Sequence, residues 1–149
     1  MSLFNRDTPD GYSETAPTWI NAGAFVERLR FVQSFCIPLK QLGHAYPDSD
    51  AEECASDIVG LLQAKTPAST WTNAGKVADY FLHALYPGEG AGNLALYRNL
   101  AVNFLNTDDN GNPSAFSSLT VGGGFGTTYD DRVRGMVGML MTMARFQEQ

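Results

Sequence analysis

Five stretches in which apolar residues recur every third or fourth position, the first three each stopped at a proline, restrict this chain to short amphipathic helices. The first runs from Thr18 to about Cys36. There Ala22, Phe25, Val26, Leu29, Val32 and Cys36 share a face, Glu27, Arg28 and Arg30 lean away, and Pro38 closes the run. In the second, Ser49 and Glu52 have the S-x-x-E spacing of a capping box. Ala51, Cys54, Ala55, Ile58, Leu61 and Leu62 form its stripe, which stops before Pro67. Thr70 or Thr72 caps a third helix carrying Val77, Ala78, Phe81, Leu82 and Leu85, ended by Pro87 and Gly88.

The fourth helix is expected to begin near Leu94, with Leu94, Tyr97, Ala101 and Phe104 inward, Leu100 and Leu105 beside them, and Asn106 starting the way out. Residues 106–128 then read as one long loop, with Leu119 to Val121 a short extended piece. A last helix runs from about Tyr129 to the end of the chain. It aligns Val133, Met136, Val137, Leu140, Ala144 and Gln147, and places Asp130 and Asp131 where the positive end of the helix dipole favours them. No strand alternation and no internal repeat competes with this pattern. The expected fold is all-α: an irregular bundle of about five helices with long Gly/Pro-rich connectors, forming a single domain over residues 1–149.

Charge narrows the partners. Sixteen acidic residues against ten basic ones give a net charge of −6, with the basic residues scattered. Nucleic acid and anionic membrane surfaces both reward clustered Lys and Arg, so neither is expected as a partner. No apolar run approaches the length of a membrane span. Cys36 and Cys54 are the only cysteines and lack metal spacing; two buried reduced thiols are the default reading, with a bridge between the first two helices the alternative if the protein is exported.

Four features of the sequence bear on chemistry. The Gly122 to Gly126 run precedes a helix, but it lacks the lysine of a phosphate loop and the preceding strand of a dinucleotide fold, and Asp130 and Asp131 would repel an anion. In NTDDNGNPSAFS, Asn106, Asp108, Asn110 and Gly111 match positions 1, 3, 5 and 6 of a calcium loop. Ser117 stands where the bidentate glutamate belongs, and local Asx-turns account for the same residues without an ion. His44 and His83 have no partner at an informative spacing, and no hydrolase signature occurs, so no catalytic residue and no cofactor is assigned. The closing GMVGMLMTMARF places Met136, Val137 and Leu140 in the core. Met139 and Met143 lie toward a flank where flexible thioethers suit a contact surface.

Three segments, RDTPDGYSETAPTWINAGAFVERLRF, ADYFLHALYPGEGAGNLALYRNLAVNFLNTDDNG and YDDRVRGMVGMLMTMARFQEQ, together resemble the carboxy-terminal part of a large uncharacterised bacterial family, the domain of unknown function 1800. The family's pattern has a Pro/Gly-rich segment with a Trp before a helix of the Phe-Val-Glu-Arg-Leu-Arg-Phe kind, and a final helix ending near a Phe-Gln pair, here Phe146 and Gln147. The resemblance implies a longer, often exported parent and brings no catalytic residues with it. On that reading residues 1–17 are a turn-rich connector, Met1-Ser2-Leu3 is an expression leader, and Phe4, Tyr12 and Trp19 sit near a severed interface. The expected role is a non-catalytic packing or protein-contact module of a larger exported bacterial protein. Its partner is the rest of that protein or another protein, and its contact residues are Tyr12, Trp19, Met139 and Met143. Two alternatives stand beside it: part of an active site completed by upstream residues, with the Gly122 to Gly126 loop or His44 at its rim, and a weak calcium loop.

Overall fold

The computed structural model describes residues 22–36, 56–122 and 126–147. Six helices make up the described chain: α1 (Ala22–Cys36), α2 (Ile58–Lys65), α3 (Ala74–Leu85), α4 (Ala91–Leu105), α5 (Thr128–Thr142) and the single turn α6 (Ala144–Gln147). Short 3-10 turns occupy Ala68–Thr70 and Phe116–Ser118. No strand forms among the described residues; an isolated antiparallel bridge joins Thr107 and Pro113. The class is all-α, as the periodicity requires.

α5 is the axis of the bundle, and α1, α2, α3, α4 and α6 all pack against it. Its core face presents Tyr129, Val133, Met136, Val137, Leu140 and Met141, all buried. α3 contributes Val77, Ala78, Phe81 and Leu82, while α4 contributes Ala101 and Leu105. Phe116, from the connector, is fully buried and stacks on Tyr129 with ring centroids 5.1 Å apart. Burying side chains of this size contributes roughly 1.5–3 kcal/mol each, which makes the α5 layer the main source of cohesion.

Several boundaries differ from the sequence expectation. The second helix begins at Ile58, where the Asp57 carboxylate accepts from the Gly60 amide at 2.8 Å; the Ser49–Glu52 box lies outside the described residues. The third is capped by Asn73, whose side chain accepts from the Lys76 amide, because Thr70 is spent in the preceding 3-10 turn, donating to the Pro67 carbonyl. The fourth starts at Ala91, three residues before Leu94. The last helix does not run to the end of the chain. Met143 adopts an extended conformation (φ −64°, ψ 142°), and α6 turns back so that Phe146 meets the edge of Tyr86 at 6.1 Å and Arg145 reaches Glu89 at 2.7 Å. Tertiary contacts to Tyr86 and Glu89 thus outweigh the local helical preference of MTMARF.

The expected stripes also shift. On α1, Val32 and Cys36 are buried while Phe25 and Val26 are exposed, and on α2 Leu61 faces out while Val59 faces in. On α4, Leu100 and Phe104 stand exposed, and Ala101 and Leu105 carry the packing. Mean periodicity finds a helix but fixes its rotation about its own axis only when one face is clearly polar, and α4 has almost no charge to supply that contrast.

Candidate functional site

α5 begins with three buried charged residues that its apolar stripe gives no reason to expect. Asp130, Arg132 and Arg134 are 1%, 6% and 4% exposed. Thr127 caps the helix by accepting from the Asp130 amide, which brings the Asp130 side chain inside the bundle. Arg134, one turn later, donates Nε to Asp130 Oδ2 at 2.5 Å and Nη1 to the carbonyls of Ser56 at 2.6 Å and Cys36 at 3.3 Å. A single guanidinium therefore ties α5 to the end of α1 and the approach to α2. Burial raises the Asp130 carboxyl above its ordinary value, and the hydrogen bond and charge of Arg134 pull the other way.

Arg132 works on the opposite side. Its Nη1 donates to the Leu105 and Ser114 carbonyls at 3.0 and 2.9 Å, and its Nη2 to Ser114 Oγ at 2.8 Å. It fastens the end of α4 to the connector that follows. That connector is ordered from within. Asn106 caps α4 and accepts from the Phe116 amide at 3.0 Å, while Asp108 Oδ1 accepts from the amides of Asn110 and Asn112 at 2.9 and 2.8 Å. These bonds, the Asn112 amide first, hold the Asp108 carboxyl below its usual value. Gly111 takes the left-handed conformation (φ 83°) that closes the turn, which a side chain would resist. Asn106, Asp108 and Asn110 thus share one short loop in which the Asn106 and Asp108 oxygens are already engaged, and no group of three potential metal-ligating side chains occurs among the described residues.

A concavity lies between α1 and α5. It has a volume of about 460 Å³ and is walled by Leu29, Val32 and Cys36 of α1 and Gly135, Gly138 and Met139 of α5, with Arg134 at its inner end and Gln33 and Thr142 at its rim. The two glycines make the floor. A Cβ on Gly138 would sit 3.6 Å from Cys36 Sγ, an ordinary contact, whereas one on Gly135 would lie 2.9 Å from the Phe104 ring. A smaller hollow of about 280 Å³ adjoins it beyond Val32, between α1 and α6, and Arg28 there bonds the Gln147 carbonyl. Cys36 is a free, buried thiol whose pKa desolvation pushes up to about 11, with the nearby Arg134 charge opposing.

Of the residues singled out from sequence, Met139 lines this groove and Met143, at the break between α5 and α6, is partly buried against the core. Tyr12, Trp19, His44 and Cys54 lie outside the described residues, as does most of the Gly122 to Gly126 run. His83 stands exposed on α3 with Nδ1 2.7 Å from the Asp79 carbonyl oxygen, a contact within its own turn. Sequence reasoning missed Arg132 and Arg134, although a signal was present. A helix whose later turns read MVGMLM is apolar nearly all round, so charges on its first turns must also enter the interior.

A family model described as "Protein of unknown function (DUF1800)" matches residues 1–147. The chain belongs to that family. Neither the curated proteins nor the solved structures gave a match. The DUF1800 assignment names no activity, so the chemistry of the α1/α5 groove has to be argued from its own residues. No helix among the described residues is long and apolar enough to cross a membrane.

Proposed function

We propose that this DUF1800 chain is a non-catalytic helical module that packs against protein through the α1/α5 groove. One observation carries the reading: the groove is apolar, and its one charged lining residue, Arg134, is engaged by Asp130 and two backbone carbonyls. A catalytic cleft needs a titratable group poised near working pH. The thiol here is held protonated, and the walls are leucine, valine, methionine and glycine. A floor of small residues between two helices accommodates the apolar side of a third, the helix-in-groove mode of recognition. Met139 adds an adaptable thioether at the contact.

The test is to pan a library of amphipathic helical peptides against the protein and against its Gly138→Leu variant, which fills the floor. The reading expects peptides with apolar anchors at i, i+3/i+4 and i+7 that bind the parent chain and lose at least about tenfold, roughly 1.4 kcal/mol, against the variant. If no peptide discriminates between the two proteins, the groove is not a contact site.

A further inference from the structure

Asn110-Gly111 is the single Asn-Gly step in the sequence, and it stands in the connector that follows α4. Both residues are exposed, and a side chain at Gly111 would meet nothing within 4 Å. The backbone nitrogen after an asparagine can attack the side-chain amide carbon and close a succinimide ring, and glycine, lacking a Cβ, hinders that approach least. The other asparagines among the described residues lack this route. Pro113 follows Asn112 and has no N–H to lose. Asn93, Asn99 and Asn103 precede amides held inside the α4 helix. Asn73 and Asn106 have their side-chain oxygens committed to the Lys76 and Phe116 amides, and the residues after them carry a Cβ.

We propose that Asn110 is a site of spontaneous deamidation and that the Asp108 turn meters the reaction. Hydroxide removes the Gly111 N–H proton, and the nitrogen forms a bond to Asn110 Cγ. The Cγ–Nδ2 bond breaks, and Nδ2 takes up a proton and leaves as ammonia. Water then opens the ring at either carbonyl, giving aspartate or isoaspartate, so a water enters, an ammonia departs and nothing is oxidised. In the folded turn the Gly111 N–H donates to the Asp108 carbonyl at 2.9 Å, while the Asp108 carboxylate accepts from the amides of Asn110 and Asn112 at 2.9 and 2.8 Å. The attacking nitrogen is therefore released only when the turn opens. Opening costs little because the two carboxylate bonds are solvent-exposed. Isoaspartate routes the chain through the former side-chain carbon and lengthens the backbone between residues 110 and 111. The backbone bonds from Gly111 to Asp108 and from Asp108 to Asn112 close the turn on the shorter spacing, so they and the Thr107–Pro113 bridge lose register. The damage stops at Ser114 and Phe116, which Arg132 and Asn106 fasten independently.

Tryptic mapping of the chain held in mildly alkaline buffer tests this, folded and in urea, with electron-transfer fragmentation to tell isoaspartate from aspartate. The expected result is conversion at Asn110 ahead of the other asparagines among the described residues, at least about tenfold faster in the unfolded chain than in the folded one. Asp108→Ala, shown by circular dichroism to fold, should convert at least about threefold faster than the folded parent and at the parent's rate in urea, since it frees the turn without touching the reacting pair. Hydrogen exchange at the Gly111 amide gives a second reading that needs no variant: its protection in the parent should match the slowing of deamidation within about threefold. In the isoaspartate product, exchange should quicken at Asn112 and stay unchanged along α5. The proposal is overturned if Asn110 stays intact in the folded chain or if one of those other asparagines converts first. It is equally overturned if folded Asp108→Ala converts no faster than the parent, if protection and slowing disagree, or if the product exchanges at Asn112 as the parent does.

Discussion

Arg134 lies one helical turn beyond Asp130 on α5, and their side chains meet at 2.5 Å while being only 4% and 1% exposed. Attraction between buried charges is offset by the cost of stripping both of water, and the raised Asp130 pKa records that cost. Removing one partner is therefore worse than removing both. Arg134→Met should destabilise the protein by about 3–5 kcal/mol, because it strands a buried carboxylate. Asp130→Leu combined with Arg134→Met should cost less, about 1–3 kcal/mol, the remainder coming from the Ser56 and Cys36 carbonyls that lose their donor. Urea unfolding of the three proteins checks the order. A double variant less stable than Arg134→Met would show that the pair stabilises beyond its desolvation.

These two residues also mark where the sequence ceased to be legible. Helix existence could be read from repeats such as Val77, Phe81 and Leu82, and from Val133, Met136, Val137 and Leu140, since burial of one stripe imposes that spacing. The same logic sends charge to solvent, as it does for Glu27, Arg28 and Arg30 on α1, and Asp130, Arg132 and Arg134 defeat it because α5 is surrounded by other helices. Phe116 was lost inside a loop that periodicity cannot score, although it fills the space beside Tyr129. The groove was visible only through Met139, because its floor is made by two glycines and an absence of side chain leaves no apolar signal to count.

Gly135 and Gly138 are three residues apart on the same helix but should respond differently to alanine. At Gly138 the new methyl meets Cys36 at ordinary contact distance, so the gain in helix propensity of about 0.5–1 kcal/mol should appear as added stability. At Gly135 it approaches Phe104 Cζ at 2.9 Å, so the ring must move, and the gain should vanish or reverse by about 1 kcal/mol. Adding Phe104→Ala to Gly135→Ala isolates this clash. A thermodynamic cycle showing no coupling between the two positions would refute the close approach.

Asp108 and Glu89 predict the acid limb of the stability curve. Amide donors lower both carboxyl pKa values, the Asn112 backbone foremost for Asp108 and the Asn93 side chain foremost for Glu89, which also takes Arg145 Nε at 2.7 Å. A folded-state value below the unfolded one means that the stabilisation is complete above the unfolded value, about 4, and is lost as pH falls through the folded value. Urea midpoints measured from pH 7 down to pH 2 should therefore fall on the acid side. Asp108→Asn combined with Glu89→Gln should lower the neutral-pH midpoint and flatten the fall. An acid limb of unchanged steepness would place the responsible carboxylates elsewhere.

Cys36 separates a packing groove from a reactive one. A thiol with its pKa pushed up to about 11 is almost wholly protonated at neutral pH, and this one is only 1% exposed. Thiolate is the nucleophile, so an aromatic disulfide reagent at pH 7.5 should modify Cys36 at least about 10³-fold more slowly than it modifies the urea-unfolded chain. A Cys54→Ser background makes the signal unambiguous. Sub-denaturing urea should accelerate the reaction in proportion to the population of opened molecules, as expected when modification waits on loosening of α1 from α5. Fast, urea-independent labelling would mean that Arg134 holds a thiolate in the groove, and the non-catalytic reading of that surface would have to be withdrawn.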